Sequence, residues 1–222
     1  MVGPSAMVEQ EVARRRRVCV FCASGTQIDD RYLELAARVG GELGRRGYGL
    51  VSGGGSISSM GAVARAARDA GAHTTGVIPE ALLQYEVADL DADELVVTAD
   101  MRERKGEMDR LSDAFLVLPG GIGTLEEFFE AWVGRVLGMH RKPLVVLDPW
   151  DDFAQLHELI GSLVAGRFVN AAAAAEVHWS RGVSEAVDAV EAVWSADSDA
   201  EAQGLTAPPT GLTEAIAALE AD

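Results

Sequence analysis

The sequence predicts a doubly wound, Rossmann-like α/β fold: one parallel sheet with helices on both faces, in a single domain. Short continuous apolar runs recur along the chain, as expected of strands buried on both faces. Amphipathic stretches of helical length separate most of them, which is the alternation of a parallel sheet. Three of the runs end in glycine, serine or threonine, the residues such a sheet sets at its carboxyl edge to meet a ligand. With 222 residues, 48% of them hydrophobic, the chain can bury one substantial core.

In chain order, Val18 to Cys22 is the first strand, and Tyr32, Leu35, Ala36, Val39 and Leu43 then share one helical face that ends near Gly47. Tyr48 to Val51 is the second, leading through Ser52-Gly53-Gly54-Gly55-Ser56 to the stripe Ala62, Val63, Ala66, Ala67 and Ala70, which closes near Gly71. Thr74 to Ile78 and Leu95 to Thr98 are the third and fourth. Ala114 to Leu118 is the fifth, and behind it Leu125, Phe128, Phe129, Trp132, Val133, Val136 and Leu137 fall at helical spacing. Leu144 to Leu147 completes the strand runs. Residues 1–13 show no periodicity and read as a disordered tail; residues 14–195 are expected to form the single α/β domain. Residues 196–222, acidic and interrupted by Pro208-Pro209, read as a mobile tail in which Leu212 to Leu219 can form a short docking helix.

A formal charge of −16 and a pI near 4.6 argue against nucleic acid or an anionic membrane as partner, since both would repel the chain at long range. Arg14 to Arg17 reads as a solvated lead-in to the first strand. No apolar run approaches the roughly 20 residues needed to cross a bilayer, and Met1 to Val12 lacks the apolar stretch of a signal peptide, so a cytoplasmic setting is expected. Cys19 and Cys22 have C-x-x-C spacing, but residues three apart on a strand point to opposite faces, so the thiols should not meet. His73, His140, His157 and His178 lack ligand spacing, and no metal site is expected.

The run Pro119-Gly120-Gly121-Ile122-Gly123-Thr124-Leu125-Glu126-Glu127 joins the fifth strand to its helix. Backbone N–H groups at such a helix start, with no side chains in the way, suit a phosphate. Neither this turn nor Gly53-x-Gly55 completes the dinucleotide fingerprint: Glu126 and Ser58 stand where the third glycine belongs. No Gly-Lys-Ser/Thr follows either, so a mononucleotide or sugar phosphate is the better ligand. Glu126 and Glu127 lie in the first turn, where the helix dipole favours negative charge, and that suffices for Glu126. Met101-Arg102-Glu103-Arg104-Lys105-Gly106-Glu107-Met108 starts directly after the fourth strand, its cations within reach of the same edge; Lys105 and Lys142 are the only lysines against seventeen arginines.

Together, Pro-Gly-Gly-x-Gly-Thr-x-x-Glu over Pro119 to Glu127 and Met-x-x-Arg-Lys over Met101 to Lys105 resemble the LOG, or "lonely guy", proteins, cytokinin-activating phosphoribohydrolases often labelled lysine decarboxylases. The resemblance runs from about Val18 to Trp194 and includes Phe21-Cys22-Ala23-Ser24, Gly53-Gly54-Gly55 with Met60-Gly61, and Gly76-Val77-Ile78-Pro79. It implies hydrolysis of the N-glycosidic bond of N6-substituted AMP to free base and ribose 5-phosphate, with AMP itself a second candidate. It implies Arg104 and Glu127 as the catalytic pair. Gly120, Gly121, Gly123 and Thr124 would hold the 5'-phosphate, with Lys105 nearby; Ser24, Gly54, Glu86 and Met101 would complete the nucleotide site. No cofactor is implied, and a homodimer is.

Those residue types suit that chemistry. Breaking a ribosyl C–N bond builds positive charge on the sugar, which a carboxylate stabilises while it positions or deprotonates water. A fixed guanidinium holds the nucleotide and keeps the carboxylate ionised. Ser52 before the triple glycine, and Ser58-Ser59 before Met60, depart from the aromatic residue and the Gly-Leu of many relatives, which bears on base selectivity. A decarboxylase using pyridoxal phosphate would need a lysine Schiff base and a partner for the pyridinium nitrogen, and neither lysine has that setting. The other reading is a non-catalytic nucleotide or cofactor carrier, which would keep the glycines but have no need of Arg104 and Glu127.

Overall fold

A computed structural model describes residues 15–83 and 88–202. Its strands are β1 (Arg17–Phe21), β2 (Gly49–Ser52), β3 (Thr74–Pro79), β4 (Glu94–Thr98), β5 (Ala114–Val117), β6 (Leu144–Leu147) and β7 (Val177–Ser180). Between and after them run α1 (Asp30–Arg45), α2 (Ser58–Asp69), α3 (Met101–Leu111), α4 (Ile122–Val136), α5 (Ala154–Ala165), α6 (Ala171–Ala175) and α7 (Val183–Ala202). The strands form one parallel sheet in the order β4-β3-β2-β1-β5-β6-β7. From β1 the chain winds outward to β4, returns to lay β5 on the free side of β1, and winds outward again. The winding reverses between β1 and β5, and their carboxyl ends border the crevice where such sheets take ligands.

Six strands coincide with the apolar runs to within a residue at each end. The seventh, β7, was not expected: it is part-covered at the sheet edge, and Val-His-Trp-Ser is interrupted by His178 and has no continuous apolar run, whereas the other edge strand, β4, keeps Leu95-Val96-Val97. The short alanine helix α6 and the largely exposed α5 lacked a readable stripe because they too are part-covered, α5 burying only Ile160.

Alternation along β1 divides the core. Val18, Val20 and Cys22 pack with Leu35, Val39 and Val63 under α1, α2 and α7; Cys19 and Phe21 pack with Val51, Phe115 and Phe128 under α3 and α4. The two cysteines therefore lie on opposite sides of the sheet, both free and buried, with Cys22 just past the strand's end. Helix α7 buries Val187 and Val190, and Trp194 Nε1 donates to Asp113 O at 2.9 Å. It crosses the boundary expected at residue 195 and runs to Ala202, with Asp197 paired to Arg141 at 3.3 Å. The expected tail 1–13 and the helix expected over Leu212 to Leu219 lie outside the described residues. Among those described, no helix is long and apolar enough to cross a membrane.

Helices α1 and α2 approach backbone to backbone. A Cβ on Gly40 would stand 2.1 Å from Val63 O, and one on Gly44 2.5 Å from Ala70 Cβ. Gly40→Ala should therefore force the helices apart and cost about 1–3 kcal/mol. Urea unfolding reads this as a lower midpoint at unchanged slope.

Candidate active site

The carboxyl ends of β1, β2, β3, β5 and β6 open into one cleft of about 570 Å³. Ser24 follows β1, Gly53 follows β2, Met101 and Arg104 come from α3, and Gly121 and Glu127 from α4; all line it. The three strand ends singled out in the sequence thus converge. They do so because every strand is parallel, so every strand-to-helix turn falls on the same edge.

On the β5 side the cleft is walled by the glycine turn. Gly121 is the N-cap of α4, and no side chain caps it. Gly120, Gly121, Gly123 and Thr124 all line the cleft, and Thr124 is buried. Gly120 lies so close to Thr124 that a Cβ there would stand 2.2 Å from the hydroxyl. A helix start with this exposed backbone and the positive end of its dipole forms an anion seat.

Opposite stands Arg104. Asp100 caps α3, accepting from Arg102 N at 2.8 Å and Glu103 N at 2.9 Å, so the helix begins immediately beyond β4 and Arg104 turns in over the sheet edge. Its Nε donates to Val77 O and its Nη2 to Gly53 O, each at 3.1 Å; Nη1 lies 3.6 Å from Glu127 Oε1. Both charged side chains are about nine-tenths covered, at 8% and 11% exposure. Gly53 is required by this clamp, since a Cβ there would stand 2.0 Å from Nη2. The neighbouring Gly54, at φ +77°, turns the chain away.

Other expected site residues lie elsewhere. Gly54 does not line the cleft; its carbonyl accepts from Asp89 N at 2.8 Å, so it shapes the turn that presents Gly53. Lys105 is outside the cleft as well, ion-paired with Glu126 and, at 2.5 Å, with Glu130. Burial works against its charge, but the two carboxylates outweigh it and raise the lysine pKa. Glu86 lies outside the described residues. Ser52 accepts weakly from Gly54 N at 3.4 Å, and Ser58, at φ +54°, donates to Gly25 O at 2.5 Å. Ser59 Oγ is buried without a hydrogen bond. None of the three serines lines the cleft, so they set the backbone around it rather than its surface.

The sequence reading missed Tyr32, Leu82, Asp152 and Phe153, which also line the cleft. The signal for Asp152 was present: it lies in the turn after β6, at the same sheet edge as the three turns that were identified. Among the described residues no group of three or more His, Cys, Asp or Glu could hold a metal.

An anion seat facing a buried guanidinium–carboxylate pair, at the switch point of a parallel sheet, defines a nucleotide-binding α/β protein equipped for acid–base chemistry. The family model described as "possible lysine decarboxylase" matches residues 60–190. A Mycobacterium tuberculosis protein named cytokinin riboside 5'-monophosphate phosphoribohydrolase is 51% identical over 153 residues, covering 69% of this chain and 81% of that one. An Arabidopsis thaliana protein bearing that name is 40% identical over 163 residues, covering 73% and 75%. The chain belongs to this family, the LOG proteins. The molybdenum cofactor carrier protein of Chlamydomonas reinhardtii shares the fold, with a TM-score of 0.61 at 23% identity over 82% of this chain and 99% of that one. Both lysines are engaged outside the cleft, Lys105 as above and Lys142 with Asp109 at 2.5 Å, so the decarboxylase description has no lysine to act through.

Burial, and secondarily the nearby Glu127 carboxylate, push both thiols well above the usual cysteine range. Neither Cys19 nor Cys22 should react with iodoacetamide in the native protein near pH 8, while both react in denaturant. Mass spectrometry of the alkylated chain checks this.

Proposed function

We propose that the protein hydrolyses the N-glycosidic bond of cytokinin riboside 5'-monophosphates, releasing the free base and ribose 5-phosphate, with AMP as a second substrate. The observation that carries this reading is the Arg104–Glu127 pair facing the glycine turn across one cleft. The 5'-phosphate sits at the start of α4, against Gly121, Gly123 and Thr124. Glu127 lies five residues beyond Ile122, about 7.5 Å along the helix axis, where it faces the sugar. As the C1'–N9 bond breaks, its electron pair leaves with the purine, and the carboxylate stabilises the cationic sugar. Glu127 takes a proton from the attacking water, whose oxygen bonds to C1', and that same proton passes to the departing base, which regenerates the carboxylate. Arg104, held by two carbonyls, balances the charge of Glu127 and orients it. The phosphate is a remote handle that fixes the sugar against the carboxylate. A pure carrier would need no such pair.

Purified protein incubated with isopentenyladenosine 5'-monophosphate should release isopentenyladenine, seen by chromatography, and the riboside should be cleaved far more slowly. Comparable rates on both would remove the phosphate from the mechanism. Glu127→Gln should lower kcat by about 10²–10⁴-fold while AMP still binds. Normal turnover by that variant would remove Glu127 from the chemistry.

We further propose a homodimer joined through α4. Ile122, Phe129, Val133 and Leu137 recur on one face of that helix and are exposed, Ile122 at 88%. A contiguous apolar stripe of this kind is characteristic of an interface. Two free thiols suit a reducing cytoplasm. Val133→Glu should convert the dimer to a monomer on size-exclusion chromatography with light scattering; a wild-type chain already monomeric at micromolar concentration would refute the interface.

A further inference from the structure

The cleft has a second carboxylate that the proposed reaction does not use. Asp152, in the turn after β6, lines the cleft, with its backbone pinned: Asp152 N and Phe153 N donate to the Asp148 carboxylate at 2.9 and 2.8 Å. Its own Oδ1 accepts from Tyr32 OH at 2.8 Å and from Arg31 Nη2 at 3.2 Å. Arg31 is the more exposed partner, at 42% against 26%. Its guanidinium lies 4.7 Å from the centres of both the Tyr32 and Trp150 rings, and it is not part of the cleft wall. The cleft therefore meets the negative member of the pair.

Sheet order sets where Asp152 lies along a bound nucleotide. Arg104 is clamped at the ends of β2 and β3, the anion seat follows β5, and Asp152 follows β6. In the order of the strands the seat thus lies between Arg104 and Asp152. A nucleotide with its sugar at Glu127 and its 5'-phosphate on α4 points the rest of its phosphate chain at Asp152.

We propose that Asp152 is a specificity-determining residue that ends the phosphate site after one phosphate, rejecting nucleoside diphosphates by like-charge repulsion. This rests on the orientation given under the proposed function. A β-phosphate adds negative charge beside a carboxylate whose place is held by Asp148, Tyr32 and Arg31, so it cannot turn aside without breaking those bonds. Arg104 is committed to Val77, Gly53 and Glu127, and Lys105 to Glu126 and Glu130. Neither offsets the added charge. Discrimination by a built-in repulsive group of this kind acts on the wrong ligand more than on the right one.

Calorimetric titration of the full-length protein with AMP and with ADP tests this without requiring turnover. The wild type should bind AMP more tightly than ADP by about tenfold or more. That ratio should shrink in the order Asp152, Asp152→Asn, Asp152→Lys, through tighter ADP binding. Raising the salt concentration should shrink it in the wild type and leave it nearly unchanged in the Asn variant, as screening of one repulsive charge requires. Equal affinities in the wild type, or one ratio shared by all three proteins, would overturn the assignment. Base release from isopentenyladenosine mono- and diphosphate by the same proteins separates the two claims. A charge-graded binding ratio with no release of base would refute the hydrolase reading alone, whereas release from both substrates at equal kcat/KM would refute the role of Asp152 alone.

Discussion

A buried guanidinium stays buried only if its donors are met, and Arg104 imposes that requirement on everything around the cleft. Two of its nitrogens take the carbonyls of Gly53 and Val77, from the ends of neighbouring strands, and the third faces Glu127. The residue after β2 must consequently be glycine, since any Cβ there would collide with Nη2. Helix α3 must also start at once after β4, which Asp100 secures by capping it and Glu103 by accepting from Ala99 N at 2.6 Å. Removing either partner of the Arg104–Glu127 pair would leave an unbalanced charge out of water, a larger penalty than the pair's own attraction. The geometry proposed to serve catalysis is thus the one the fold enforces.

The same pairing explains how a strongly acidic protein takes an anionic ligand. With a net charge of −16 the surface gives no long-range attraction to a phosphate, so the attraction must be local. On the proposed reading it comes from backbone dipoles at the start of α4, which need no lysine or arginine, and a neutralised pair behind them adds little repulsion. Of the described charged residues that line the cleft, only Asp152 has its countercharge outside the wall. Affinity and selectivity are therefore assigned to different residues of one cleft.

How much of this was legible in the sequence follows from period and burial. Strands written as continuous apolar runs were found, the largely uncovered edge strand β4 among them because it keeps Leu95-Val96-Val97; β7, interrupted by His178, carried no such signal. Strand ends were legible because parallel strands share a ligand edge, and Ser24, Gly53 and Gly121 all reached the cleft. What the sequence could not carry was side-chain direction at the residue level. Arg104 and Lys105 are adjacent in the chain, yet one enters the cleft and the other faces the outside of α4, because successive helical residues differ by about 100° around the axis. Gly53 and Gly54 differ in where their carbonyls point, to Arg104 and to Asp89 N, which a run of glycines does not reveal. Asp152 was overlooked because an acidic residue in a loop of an acidic chain is unremarkable until Tyr32 and Arg31 are seen to hold it.

That divergence of neighbours gives Lys105 a purpose of its own. Arg104 and Lys105 are consecutive on α3, and Glu126 and Glu127 are consecutive on α4. The inner pair, Arg104 with Glu127, lines the cleft; the outer group, Lys105 with Glu126 and Glu130, bridges the same two helices on the other side. An isolated ion pair at a surface contributes little, but one lysine shared by carboxylates a helical turn apart also limits how α4 can rotate against α3. Rotation of α4 would move Glu127 relative to both Arg104 and the phosphate seat, since one helix carries the seat and the carboxylate together. Lys105, expected near the phosphate, bridges α3 to Glu126 and Glu130 of α4, the helix that carries both the glycine turn and Glu127.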